Sequence, residues 1–269
     1  MIAEVLSAYG REVAPTKKTA RNIGYNISNL LKWWGEKSVV YISAKTCRQY
    51  AQDRPKMAAV SDLKTLKQAV NYWHAEYGPL NFIPTFWKPK ANPPKERWLT
   101  RQEAARLLKA AKPYVHLRRL ILLGLYTGSR PGVILALRWN QIDLESGIMS
   151  RLPRGAMPDA KKRAPKVKLG RRILAHLKRW KRIDGNAEFV CHFNGGAVSD
   201  PHRSWPRIVK QAGLEGVTRH TLRHTRATWL MQAGIDPWQA AGHLGMTTKT
   251  LERVYGHHHP DWQEEAANV

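Results

Sequence analysis

The sequence predicts a mainly α protein with a small β-sheet, an α+β chain in two domains, and three observations carry that expectation. Apolar residues recur at helical spacing through the amino-terminal half. A proline-dense stretch at 84–94 then interrupts the pattern, with four prolines in eleven positions, which neither a helix interior nor a central strand tolerates. Beyond it helical stretches resume, broken by short alternating segments that read as strands.

In the first half, Thr19 to Trp34 carries Ile23, Ile27, Leu30, Leu31 and Trp34 on one helical stripe, and Ser61 to Tyr77 carries Leu63, Leu66, Val70, Trp73 and Tyr77. Ser43 is placed to cap a helix through Tyr50. A bundle of about four helices follows over 1–94, with 84–94 as the linker and 95–269 as the second domain. Thr100-Arg-Gln-Glu103 is a capping box ahead of Ala104, Leu107 and Leu108. Val115 to Tyr126 forms the next helix, stopping near Gly128, and Pro131 to Leu137 another, so that Arg130 lies in the corner between them. Ile142 to Met149 and Lys166 to Leu169 read as short strands, and helices are expected at Arg171 to Arg182, Arg203 to Ala212 and Thr221 to Ala233.

Charge bounds the partner. Forty-five Lys and Arg against twenty Asp and Glu give a formal +25 and a pI of about 10.4, far beyond what solubility needs. Both halves share it: 14 basic and 6 acidic residues precede position 95, a net +8, and 31 against 14 follow, a net +17. A polyanion is the natural counterpart, double-stranded DNA first. A membrane surface fits less well, because the basic residues are spread along the chain with no long basic amphipathic helix. The longest apolar stretch, Ile121 to Tyr126, is far too short to span a bilayer, and no basic leader precedes it. Cys47 and Cys191 fit no metal spacing and read as reduced thiols, so a soluble, cytoplasmic protein is expected. His257, His258 and His259 are adjacent on one short segment and cannot easily face one ion, and neither a Gly-rich phosphate loop nor a two-metal carboxylate cluster is present, so no cofactor and no metal are expected. Trp33, Trp34 and Trp205 are candidates to line DNA, against a default of core packing.

The chemistry-bearing residues lie in the second half. His220 and Arg223 stand three apart at the start of an expected helix, where both side chains converge on one anion near the helix amino terminus. Alone, His-x-x-Arg is an ordinary surface pair in a basic protein. Here it sits in His220-Thr-Leu-Arg223-His224-Thr-Arg226, downstream of Thr127-Gly128-Ser129-Arg130 and ahead of Tyr255 in Leu-Glu-Arg-Val-Tyr-Gly-His-His-His-Pro. Guanidinium forks match phosphate oxygens and stay charged, and a phenol with a pKa near 10 needs such cations to act as a nucleophile.

At these residues the chain resembles the tyrosine recombinases, the phage-type integrases, over most of residues 95–260. The resemblance implies a helical core-binding domain at 1–94, a tyrosine-recombinase catalytic domain at 95–269, and an Arg-Lys-His-Arg-Tyr site. Arg130 and Arg223 would hold the non-bridging oxygens of the scissile phosphate, His220 would assist proton movement, and Tyr255 would attack phosphorus to give a 3′-phosphotyrosyl link. The general acid would be a hairpin lysine; counting back from Val167 favours Lys161, then Lys162, with Lys166 and Lys168 left as phosphate contacts. The activity implied is site-specific, ATP-independent DNA strand transfer by a homo-tetramer on paired sites, with host DNA-bending or directionality factors as further partners.

Two positions depart from the pattern. Val133 stands where the family carries an acidic residue, and Met246 where it carries His or Trp after Leu-Gly. His243, three residues earlier, is the candidate substitute, with packing as its other reading. The rival readings are a catalytically weak DNA-binding relative and a type IB topoisomerase-like enzyme.

Overall fold

The computed structural model describes residues 1–90, 96–153, 155 and 164–268. The chain divides into two compact units, Met1–Pro94 and Lys95–Val269. It is mainly helical with small antiparallel sheets, in line with the fold class that the sequence predicts.

The first unit is built on four helices: α1 (Ile2–Glu12), α2 (Ala20–Trp34), α3 (Ala44–Gln52) and α4 (Lys56–Glu76). Helix α1 buries Ile2, Val5, Leu6 and Tyr9, a stripe that packs on α2 and α4. Ser43 caps α3, its hydroxyl accepting from the Thr46 N–H at 3.2 Å. Helix α4 starts at Lys56, five residues before the expected Ser61, because Pro55 sets its entry and the small Ala59 already faces the core. The carboxylate of Asp62, 1% exposed, is satisfied by the Tyr50 hydroxyl at 2.7 Å and Arg54 Nη2 at 2.9 Å.

The second unit opens with α5 (Arg101–Ala110), α6 (Val115–Thr127) and α7 (Pro131–Leu135). Thr100 and Glu103 form the expected capping box of α5. The segment read as one strand from Ile142 to Met149 is instead a hairpin of β1 (Ile142–Asp143) and β2 (Ile148–Met149). Asp143 Oδ1 accepts from the N–H groups of Glu145 at 2.9 Å and Ser146 at 3.0 Å, and Gly147 takes φ +66°, so the chain turns where alternation alone reads it straight. Strand β3 (Val167–Lys168) completes the sheet, Met149 pairing Val167.

Then follow α8 (Arg171–Asp184), a second hairpin of β4 (His192–Phe193) and β5 (Gly196–Ala197), α9 (Ser204–Gln211), α10 (Thr221–Gln232), α11 (Pro237–Leu244) and α12 (Thr248–Tyr255). Helix α10 lies against α6 so closely that a Cβ on Gly124 would meet Leu222 Cδ1 at 2.8 Å. Its far side is tied to the start of the unit: Thr225 Oγ1 accepts from the Leu99 N–H at 2.9 Å, and Trp229 Nε1 donates to the Leu99 carbonyl at 3.0 Å. A buried Arg119–Asp184 pair, 2.6 Å apart, joins α6 to α8, with Trp139 Nε1 donating to the same carboxylate at 3.2 Å.

Trp34 and Trp205 are core residues and not DNA-lining candidates, at 0% and 4% exposure. Trp205 is fixed further by its Nε1–H, which donates to the Val217 carbonyl at 3.0 Å. Trp33 is half-buried, its ring edge against Tyr50 and Lys37 over its face. Cys47 and Cys191 are buried free thiols. Among the described residues no helix is long and apolar enough to cross a membrane, and no group of three His, Cys, Asp or Glu side chains is placed to hold a metal ion.

Candidate active site

Two helix ends and one helix start meet at the site. Helix α6 stops on Gly128 in the left-handed region, φ +61°, and Pro131 starts α7 at once, leaving Arg130 as the residue before it in an extended conformation. Helix α11 likewise ends on left-handed Gly245, φ +66°, which turns the chain into α12. Helix α10 starts between them with His220, Arg223 and His224 in its first turns.

Arg223 is 5% exposed, and its Nη1 donates to two main-chain carbonyls, Gly128 O at 2.7 Å and Leu244 O at 2.5 Å. These are the carbonyls at the two left-handed corners, so one nitrogen of the guanidinium ties α6, α10 and α11 together. The other terminal nitrogen donates to none of the described residues. Burial, then the neighbouring charge of Arg130, hold the Arg223 pKa down to about 10, while Tyr255 opposes that shift; the group remains cationic at neutral pH.

A third arginine, Arg151, lies deeper, at 4% exposure. Its Nε donates to Ser129 Oγ at 2.9 Å, its Nη2 to Thr127 O at 2.9 Å and His243 O at 2.6 Å, and its Nη1 to Pro165 O at 3.4 Å. Burial, then Arg223 and Arg130, lower its pKa to about 10. Every nitrogen of Arg151 is engaged with the protein, whereas only Nη1 of Arg223 donates to the described residues. Arg151 therefore braces the segment that carries Arg130.

Tyr255 ends α12 at 7% exposure, with its hydroxyl 2.6 Å from His224 Nδ1. Burial raises the phenol pKa above its usual 10, with Arg223 pulling the other way. His220 is largely exposed, and its ring lies 5.1 Å from that of His224, centroid to centroid. Loss of hydration on its inner side, then Arg223 and Arg130, hold the His220 pKa below the ordinary 6.5. Burial, then His220 and Arg223, do the same for His224. Both imidazoles are neutral at neutral pH.

Of the residues singled out from sequence, Arg130, His220, Arg223 and Tyr255 thus share one electrostatic neighbourhood. The His243 ring is turned elsewhere: its Nε2 lies 3.2 Å from Tyr126 O and 3.5 Å from Arg226 Nη2, and burial drives its pKa to about 4. Its carbonyl, not its ring, reaches the arginine cluster, through Arg151. Met246 packs against the apolar cluster that includes Leu244, Leu251 and Tyr255. Val133 is half-buried in α7. Lys161 and Lys162 lie outside the described residues.

Sequence reasoning passed over His224 and Arg151. His224 was legible in principle, since His220 and His224 are four apart and share a helix face. Nothing marks Arg151 in a chain with 45 basic residues.

The model of the phage integrase family matches residues 97–261. The integrase of Salmonella phage P22 is 27% identical over 230 residues, covering 80% of this chain, which spans only 58% of that protein. Tyrosine recombinase XerC of Xanthomonas campestris pv. campestris is 27% identical over 270 residues, 95% of this chain and 79% of that one. In fold, the integrase of the transposon Tn1549, solved with transposon right end DNA, superposes with a TM-score of 0.77 at 16% identity, over 99% of this chain and 98% of that one. With the family model matched over more than half of its length, the chain belongs to the phage integrase family of tyrosine recombinases.

Proposed function

We propose that this chain is a site-specific DNA recombinase that cuts and rejoins duplex DNA through a 3′-phosphotyrosyl intermediate. The observation that carries the reading is the electrostatic coupling of Tyr255 to a buried Arg223 that engages the described residues through Nη1 alone. Nη1 of that guanidinium is spent on structure, and in this reading its remaining N–H groups are the ones that a phosphate oxygen takes. Arg130 and Arg223 hold the two non-bridging oxygens and offset the charge that builds on them, Tyr255 attacks phosphorus, and His220 assists proton movement. Lys161, or Lys162 beside it, protonates the leaving 5′-oxygen. The phosphotyrosyl ester conserves the energy of the phosphodiester, so rejoining needs no ATP.

In this reading residues 1–94 form the core-binding domain, where exposed Lys17, Lys18, Arg21, Lys64 and Lys67 on or beside α2 and α4 meet DNA phosphates. Exchanging two duplexes breaks four strands, and each chain supplies one nucleophile, so four copies act on two paired sites, with host DNA-bending or directionality factors as further partners.

The test is to incubate the protein with fragmented genomic DNA in EDTA, capture adducts that survive denaturant, and sequence the attached 3′ ends. A single recurrent site is expected, and Tyr255→Phe should bind that site without forming adduct. An adduct with the Phe variant, or ends scattered without preference, would refute the reading.

A further inference from the structure

We propose that His224 is the proton acceptor for Tyr255, a catalytic residue distinct from the arginine pair and from His220. The inference rests on Tyr255 being the nucleophile. It starts from the 2.6 Å contact between the Tyr255 hydroxyl and His224 Nδ1, the one hydrogen bond that the phenol makes with the described residues. The rings meet at 48° with centroids 5.8 Å apart, which puts Nδ1 at the hydroxyl and not over the ring face.

The chemistry calls for such a partner. A buried phenol with a pKa above 10 is ionised less than about one part in 10³ at neutral pH. Arginines lower that barrier but take no proton. His224 can, because it is neutral, and with its own proton on Nε2 its Nδ1 lone pair faces the hydroxyl. His220 is less well placed, since it is an exposed residue and makes no hydrogen bond to Tyr255.

The groups around His224 keep it neutral. On α10 these are His220 and Arg223, and on α12 Tyr255 itself. The turn after α12 brings His257 and His258, but their rings lie against each other at 4.0 Å and His258 also meets Trp98. From α11, His243 faces Tyr126 and Arg226. From α6, Arg119 is spent on Asp184, and His116 lies against Phe193. Among the described residues no carboxylate contacts the ring to hold a second proton.

The step balances without a further reactant on this side. The Oη–H bond of Tyr255 breaks as Oη–P forms, the proton passes to Nδ1 and makes an imidazolium, and the P–O5′ bond breaks with the 5′-oxygen taking a proton from an ammonium group or water. On rejoining, the 5′-hydroxyl displaces the tyrosine and the imidazolium returns its proton to the phenolate oxygen.

The experiment measures single-turnover adduct formation on a nicked duplex carrying the site recovered by adduct sequencing. His224→Ala and His224→Gln should each slow it by about 10²-fold with DNA affinity unchanged, because glutamine accepts a hydrogen bond but not a proton. Their rates should climb with pH where the wild-type rate is flat. Replacing Tyr255 by 3,5-difluorotyrosine, whose phenol ionises near neutrality, should remove most of the deficit. A wild-type rate in either variant overturns the proposal, as does a deficit that neither alkaline pH nor the fluorinated nucleophile relieves. A ¹⁹F titration of the fluorotyrosine protein without DNA keeps the two readings apart: its signal should respond to protonation of His224 below pH 6.5 and lose that response in His224→Ala. An unaltered response would overturn the contact even if Tyr255→Phe behaves as the recombinase reading requires.

Discussion

Replacing Arg151 by methionine tests whether a buried cation can act as a brace for the site while adding repulsion to it. Methionine keeps most of the packing volume and loses donors to Ser129 Oγ, Thr127 O and His243 O, all within 2.9 Å, and a weak fourth to Pro165 O at 3.4 Å. Three charge-assisted bonds at about 2 kcal/mol each set the loss near 6 kcal/mol. Against this, a pKa brought from 12.5 to about 10 means that the folded state disfavours the guanidinium charge by ~3 kcal/mol relative to the unfolded chain, a penalty methionine escapes. The net expectation is a destabilisation of about 3 kcal/mol, or roughly 10 °C in the melting transition of the second unit. Urea and thermal unfolding followed by circular dichroism measure it, and Arg151→Lys, which keeps charge but not the fork, should fall between. Unfolding of Arg151→Met within about 0.5 kcal/mol of the parent would show that the relieved desolvation and repulsion equal the lost bonds and that Arg151 is no brace.

His243 has a folded pKa of about 4 against 6.5 unfolded, so its contribution to stability is complete above pH 6.5 and is lost as the pH falls toward 4, by up to ~3 kcal/mol. His243→Gln should flatten that part of the urea-midpoint profile, and an unchanged slope would locate the titration elsewhere. Asp184→Asn strands the Arg119 charge, whose residue is 3% exposed, and should cost about 3 kcal/mol by the same unfolding assay. Gly128→Ala puts a side chain on a φ of +61°, against the Leu244 side chain and 3.2 Å from Arg226 Cγ. It should destabilise by at least 1–2 kcal/mol and reduce adduct formation further by moving a carbonyl that holds Arg223. Binding to the recovered site should weaken with salt at about −0.9 in log K per phosphate neutralised, and a slope near −2 would mean that only one of the two basic units meets DNA.

Much of the fold was legible because local signals and tertiary packing agree. Thr100 and Glu103, Ser43, Gly128 and Pro131 are punctuation whose meaning is fixed by backbone groups a few residues away. The reading failed where such signals were present and went unused. Asn194-Gly195, with φ of 48° and 80°, is a two-residue hairpin turn in plain sequence, and Asp236-Pro237 and Thr247 start α11 and α12 with side chains that accept from Gln239 and Thr250. Both helices run eight residues, too short for an apolar stripe to declare itself.

The site divides along a different line. Arg130, His220, Arg223 and Tyr255 stand out because each sits in a short pattern, and patterns survive in one dimension. What those residues can do depends on pairings that do not. Arg151 becomes a brace only because left-handed Gly128 and Gly245 bring two helix ends within reach of one side chain; a Cβ on Gly245 would lie 2.9 Å from Pro165 Cδ and 3.4 Å from Arg151 Nη1. His224 becomes a partner for Tyr255 only because α12 returns, 31 residues on, to lie against α10. The same corner consumes Arg223 Nη1, which donates to Gly128 O and Leu244 O. A more flexible α11–α12 turn would free that nitrogen, yet it would surrender the register of Arg223 with Tyr255. The chain thus commits one nitrogen of Arg223 to holding α6, α10 and α11 together, and in the proposed reaction the rest of the guanidinium meets phosphate.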